Sequence, residues 1–389
     1  MSEKRVDNSV DNSKEERHPV RSFLSFALML AAVLLVVLFA AYRDGTGFDV
    51  LRRYLHYGRA EQVGGEVVYH YDAASKNRFA LLGESLVVLS DAALSLFNSA
   101  GEEVWSTSVT MTAPALSAGG GRAVAYDVGG TALYVLDQTG LLLELTAQEE
   151  EPYIAAALNK NGVLTVTAQK RGFKGSVTVY DRELLAPAFE FQSSQRFVLD
   201  GYTLGNRLAA VTLGQENGVF VSNIVLYEMP EEEPKANYSI SGGLVAAVGE
   251  QEGRLVTVSD TALTFASPGG EISGSYSYGG AYLREYDLGG TGFAALLLNR
   301  YRSGSVGRLV TVDKDGEELG TIDVREEVLS ISASGRYLAV LYADHLTVYN
   351  QDLQTYATLR GTGDAREALM RSDGSVLLLS SGSASLFLP

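Results

Sequence analysis

The sequence contains no cysteine, four histidines and a single tryptophan among 389 residues. Without cysteine there is no disulfide, no thiolate nucleophile and no zinc or iron–sulfur site of the cysteine type. His18, His56, His70 and His345 are too few for a histidine-rich metal centre. Basic residues are also short, with 31 Lys+Arg against 47 Asp+Glu and a formal charge of −16. Phosphate-backbone binding needs a surplus of Lys/Arg on at least one face, so this balance argues against a nucleic-acid partner. Also missing are a Gly-x-x-x-x-Gly-Lys phosphate loop, a His-Glu-x-x-His helix and a Gly-x-Ser-x-Gly elbow. Gly119-Gly120-Gly121 precedes a strand rather than a helix, which removes a dinucleotide reading. Asp313-Lys314-Asp315-Gly316 lacks the third acid and distal Glu of a calcium loop and reads as a hairpin turn. His345, next to Asp344 at a hairpin bend, reads as a polar cap. No catalytic residue, cofactor or metal is expected.

What the chain does have is 41 Gly, 21 Tyr and 46% hydrophobic residues, a composition of short strands and tight turns around a sizeable core. Near the amino end, Ser22 to Tyr42 form an uncharged tract between Arg21 and Arg43. At 1.5 Å per residue such a tract spans the ~30 Å hydrocarbon core of a bilayer. It is longer than the apolar region of a signal peptide, and Phe39-Ala40-Ala41 is a poor cleavage site. The expected arrangement is a disordered cytoplasmic tail (1–21), a transmembrane helix (22–42), a juxtamembrane linker with a short amphipathic helix (43–64) and an extracytoplasmic domain (65–389). Lys/Arg counts on the two sides barely differ, so the orientation follows from the signal-anchor position of the tract. In the linker, Phe48, Leu51 and Leu55 recur at helical spacing with Arg52 and Arg53 between them. Two readings stay open: a helix on the outer leaflet with its arginines at the headgroups, or a helix packed against the domain.

Beyond residue 65 a pattern recurs roughly every 40 residues. An apolar strand ends in an aromatic or aliphatic residue, a polar turn residue follows, and often a Gly three positions later. The turn residues are Asn98, Asp137, Asp181, Glu228, Ser267, Asp313 and Asn350, and the last copy stops at Pro389. Tyr126-Asp127-Val128-Gly129-Gly130-Thr131 is echoed by Tyr286-Asp287-Leu288-Gly289-Gly290-Thr291, which suggests the same period. Four short strands per repeat is the unit of a β-propeller blade. The fold class is therefore all-β: one propeller of about eight four-stranded blades, or seven if the irregular stretch 196–241 is absorbed elsewhere. The last repeat has one strand too few, and residues 65–71 form a strand with no partner. Pairing them with Ala384–Leu388 closes the ring and removes two open edges.

Asn98-Ser99-Ala100-Gly101-Glu102-Glu103-Val104-Trp105 resembles the docking signature of quinoprotein-type propeller repeats, in which a Trp staples neighbouring blades. The resemblance implies the architecture and an inter-blade role for Trp105, without a quinone cofactor. Taken end to end, the sequence resembles a family of membrane-anchored propeller proteins of Gram-positive bacteria whose function is not established. The segments that carry it are Leu51-Arg52-Arg53-Tyr54, Ala113-Pro114-Ala115-Leu116 (where the family usually has Asn-Pro), Tyr126-Asp127, Asn161-Gly162 and Val177-x-Val179-Tyr180. The resemblance implies fold and topology, and no catalytic residues.

Two basic loops stand out on the acidic domain: Lys170-Arg171-Gly172-Phe173-Lys174 and Arg300-Tyr301-Arg302. Both connect the second and third strands of their blades, so both should emerge on one face of the ring. Loops on a rigid frame are where binding residues concentrate. Lys170, Arg171, Phe173, Lys174, Arg300, Tyr301 and Arg302 are the candidate binding residues, for a protein partner or an anionic envelope component. The function expected is a binding or scaffold module held at the outer face of the cell membrane. The alternative is a lyase- or hydrolase-type enzyme using the central channel, which requires charged residues on the inner strands. Those strands read as mainly small or apolar.

Overall fold

The recurring turn residue works as a backbone acceptor. In the computed structural model, Asn98 Oδ1 accepts the N–H groups of Ala100 and Glu102, each at 3.0 Å. Asp313 does the same for Asp315 and Glu317, and Asn350 for Asp352 and Gln354. Ser267 Oγ takes those of Gly269 and Glu271. Such a turn sends its fourth residue into the left-handed region, where only glycine is free of strain. Gly101, Gly270 and Gly316 lie there at φ of 84°, 89° and 83°. Leu184 and Leu353 take the same place with φ of 58° and 56°, and both are buried in inter-blade cores. Burial of a leucine, worth roughly 1.5–3 kcal/mol, offsets the backbone cost there.

The structure describes residues 27–37, positions 49, 53, 54 and 57, and residues 62–389 apart from 75–76 and 241–242. Residues 53–389 form one compact unit. Eight four-stranded antiparallel sheets make up the ring. Blades 1 to 7 occupy residues 78–108, 114–146, 153–192, 197–240, 245–277, 282–324 and 328–360, each with its strands in chain order from the axis outward. The stretch expected to be irregular thus holds, over residues 197–240, a regular fourth blade with two ten-residue strands, and the seven-blade alternative falls. In all seven, the pairing of third and fourth strands carries a register shift just before the turn residue. Such bulges sharpen the right-handed twist that blade stacking needs.

Blade 8 joins the two ends of the chain. Its inner three strands are Glu367–Met370, Val376–Leu379 and Ser383–Leu388, and its outer strand is Gln62–His70. The expected closure is present, with Tyr69 opposite Ala384 and His70 opposite Ser383. Tyr71 fastens the end of the clasp by donating from its hydroxyl to the carbonyls of Ser380 and Ser383. Each of the eight apolar clusters lies between neighbouring blades, including one between blades 8 and 1 built on Tyr69, Leu86, Phe97 and Leu386. Trp105 packs on the cluster shared by blades 1 and 2, as expected of a staple.

Antiparallel order fixes two faces. The first-to-second and third-to-fourth turns open on one, called here the entry face. The second-to-third loops and the links between blades open on the other, the loop face. The Tyr-Asp echo does not mark equivalent positions: Tyr126-Asp127 end a second strand in blade 2, whereas Tyr286-Asp287 end the innermost strand of blade 6.

Of the expected membrane span, residues 27–37 are helical, which at 1.5 Å per residue is about 16 Å. Among the described residues no helix is long and apolar enough to cross a membrane, and positions 22–26 and 38–42 lie outside them. The linker arginine that is described does not sit at a headgroup position. Arg53 is 1% exposed and donates to the Tyr356 hydroxyl at 2.9 Å, with its guanidinium 5.8 Å from that ring's centroid. Gly374 leaves the space, since a Cβ there would stand 2.9 Å from Arg53 Nη1. Four residues on, the Tyr57 hydroxyl accepts from Arg371 at 3.1 Å. Both contacts involve the 371–375 turn of blade 8, so Arg53 and Tyr57 lie on the entry face. Packing against the domain is therefore what the described part of this segment does.

Deleting everything through Tyr71 leaves the edge of Ser383–Leu388 unpaired. The truncated protein should melt well below a version trimmed only through residue 26 and should self-associate in sedimentation runs. A truncated chain that stays monomeric with the parent melting temperature contradicts the clasp.

Candidate binding face

Blades 3 and 6 both project their second-to-third loops on the loop face, and the two loops differ in charge. In blade 3, Lys170 is half-buried rather than exposed, held by Glu151 at 3.6 Å and Glu190 at 3.4 Å. Arg171 pairs with Glu150 at 3.5 Å, and its backbone N–H donates to Glu151. Lys174 lies 5.0 Å from the Phe197 ring centroid, next to an exposed Phe173. The link from blade 2 carries Glu150 and Glu151, and the outer strand Pro187–Gln192 carries Glu190, so the cations of this loop are largely spent locally.

Blade 6 is different. Residues 300–306 are closed by Arg300 N–H to the Val306 carbonyl and by Asn299 Nδ2 to the Gly304 carbonyl. Arg300, Tyr301 and Arg302 are exposed, and among the described residues neither arginine forms an ion pair. Two clefts flank the loop. One, of about 500 Å³, is lined by Arg300, Arg308 and Arg325. The other, of about 470 Å³, is lined by Arg284, Arg302 and Glu327. The structure thus separates the seven candidate residues into a neutralised group (Lys170, Arg171, with Phe173 and Lys174 beside them) and a free one (Arg300, Tyr301, Arg302). Arg284, Arg308 and Arg325 escaped sequence reasoning because they are isolated cations in the chain, brought together only where blades meet. Nearby, Glu326, Asp344 and His345 have ligand atoms within 4.8 Å of one another, but both acids are exposed and His345 Nδ1 is engaged by Asp344 at 2.7 Å.

The inner strands are mainly small or apolar at their centres, as expected, but acids stand on several of them. Asp200 lies on that of blade 4, Glu285 and Asp287 on that of blade 6, and Glu367 on that of blade 8. Burial pushes Asp200, Glu285 and Glu367 up to about 7 and Asp287 up to about 6. The Glu367 charge adds to the rise at Glu285. Three of the four have a visible structural task. Glu285 accepts the N–H of Ile331 at 3.2 Å and Asp287 that of Ala333 at 3.0 Å, both on the inner strand of blade 7. Ser330 and Ser332 of blade 7 serve Ala368 and Met370 of blade 8 in the same way. Asp200 accepts the N–H of Gly201, its neighbour in the chain, at 2.8 Å.

The model of a family of unknown function, DUF5711, matches residues 61–358. No curated protein sequence matches the chain. Among solved structures, the C-terminal WD40 domain of Sif2 is similar at a TM-score of 0.60 and 14% identity, covering 84% of this chain and 98% of that one. BamB from Moraxella catarrhalis is similar at 0.53 and 14%, covering 83% and 99%. The quinohemoprotein alcohol dehydrogenase ADHIIG from Pseudomonas putida HK5 is similar at 0.54 and 10%, covering 83% and 75%. At these identities the likeness is one of fold.

A carboxyl raised in the folded state holds a proton that the unfolded chain has released. Its stabilising effect is complete below the unfolded value near 4 and is lost as pH rises through the folded value near 7. Melting temperature should therefore fall between pH 5 and pH 8. In Asp200→Asn that fall should shrink by an amount equivalent to on the order of 2 kcal/mol. A variant with the parent's slope shows that Asp200 is ionised in the fold throughout.

Proposed function

The chain belongs to the DUF5711 family, and with that as premise we propose that it is a docking frame: a membrane-anchored, extracytoplasmic propeller whose blade-6 loop face binds a protein or an anionic envelope component. The observation that carries this reading is that, among the described residues, Arg300 and Arg302 form no ion pair on a chain of charge −16. Unpaired guanidinium groups on a rigid loop suit planar carboxylate or phosphate partners. Arg53 and Tyr57 pack on the entry face, the face opposite to the one that carries Arg300. The uncharged tract 22–42 supports the anchor, and its place near the amino end supports an outward domain.

The channel carboxylates favour a second reading, acid–base chemistry on a small substrate, because their affinities for protons are near neutral. Hydrogen bonds to the next blade assign Glu285 and Asp287 to the frame instead, and Asp200 is engaged by its own strand. Fold likeness to an alcohol dehydrogenase does not change that balance.

Two measurements test the proposal. Arg300→Ser with Arg302→Ser should fold as the parent does and lose salt-sensitive retention on cell-envelope fractions, whereas Lys170→Ser with Arg171→Ser should lose little. Equal retention of both double variants rules out the blade-6 loop. Protease added to intact protoplasts should remove the propeller, and survival of the domain until lysis reverses the orientation.

A further inference from the structure

The cleft between blades 5 and 6 is lined by three arginines from separate stretches of chain. Arg300 comes from the second-to-third loop, Arg308 from the third strand Gly307–Val312, and Arg325 from the link to blade 7. Among the described residues none of the three forms an ion pair. Asp323 shares the rim and lies opposite Arg308 across the sheet, yet the two are not within ion-pair distance. Aromatic rings hold two of the cations instead: Arg308 is 6.0 Å from the Tyr276 centroid and Arg300 is 5.6 Å from that of Tyr301. Stacking fixes a guanidinium by its face and leaves its N–H edge free for an oxygen ligand. On the wall, Tyr278 is 1% exposed and its hydroxyl has no hydrogen-bond partner among the described residues.

We propose that this cleft binds the phosphate or diphosphate group of a small soluble molecule. A carboxylate offers about four acceptor sites confined to one plane, whereas three forked donors carried by separate elements match oxygens that spread out of a plane. A phosphate or diphosphate presents three or more oxygens spread in space. The volume of about 500 Å³ is more than a bare phosphate fills, and Leu298 and Val306 give an apolar wall for the rest of the ligand. The cleft shares Arg300 with the docking surface proposed above but does not depend on it: envelope retention can fail while pyrophosphate binding persists, and the reverse.

The test is calorimetric titration of the full chain with pyrophosphate at low salt, with citrate as a comparator of similar charge built from carboxylates. Pyrophosphate should bind at least tenfold more tightly than citrate. Arg308→Gln, and separately Arg300→Gln with Arg325→Gln, should each weaken pyrophosphate by roughly tenfold or more. Arg302→Gln, lining the other cleft, should leave it within about twofold. The exposed pair guards against misfolding of the strand variant. Pyrophosphate bound no better than citrate, unaffected by the exposed pair, or ignored by a protein that binds anionic vesicles, overturns the proposal.

Discussion

Eight innermost strands turn one edge to the axis, where no further strand can pair with them. Backbone N–H groups on such an edge need acceptors, because leaving one buried and unpaired costs about 1–3 kcal/mol. Between blades 6 and 7 and between blades 7 and 8 the preceding blade supplies them through Glu285, Asp287, Ser330 and Ser332. Each of these side chains ties one sheet to the next at a fixed height, so the register between those blades is set at the axis and propagates outward. The placement of their loops follows from it. Carboxylates in the channel are then a consequence of the architecture: an acceptor must reach the edge, and burial there keeps its proton affinity high.

The outer turns were legible because their chemistry is local. One side-chain oxygen, two N–H groups within four residues and one left-handed position fit in a stretch of five, so period and blade number could be read from Asn98, Ser267, Asp313 and their equivalents. Closure was legible by elimination, from a strand missing at one end and spare at the other. Apolar runs in strands gave the inter-blade cores without specifying their partners. The Tyr-Asp echo misled because its likeness is one of turn composition, and the same few residues suit turns on either face.

The binding face was only half legible. A run such as Lys170-Arg171 looks cationic until the fold brings Glu190 from the outer strand and Glu150–Glu151 from the preceding link against it. Arg308 and Arg325 look ordinary until they line one cleft with Arg300. Charge is read from sequence as a sum, whereas binding depends on which cations are left unpaired after folding. Arg53 shows the opposite case, a linker cation that folding removes from solvent altogether.

Seven blades are built from consecutive hairpins, but the eighth joins residues such as Tyr71 and Ser383, 312 apart in the chain. Closing a flexible loop of that length costs roughly 5 kcal/mol of chain entropy. The contacts among Tyr69, Leu86, Phe97 and Leu386 that offset this cost exist only once both ends are in place. A cost of that size favours stacked local sheets forming first, and the seam between blades 8 and 1 should be the last part to close. If the seam is also the first part to open, its amides should exchange with solvent ahead of those in blades 2 to 7.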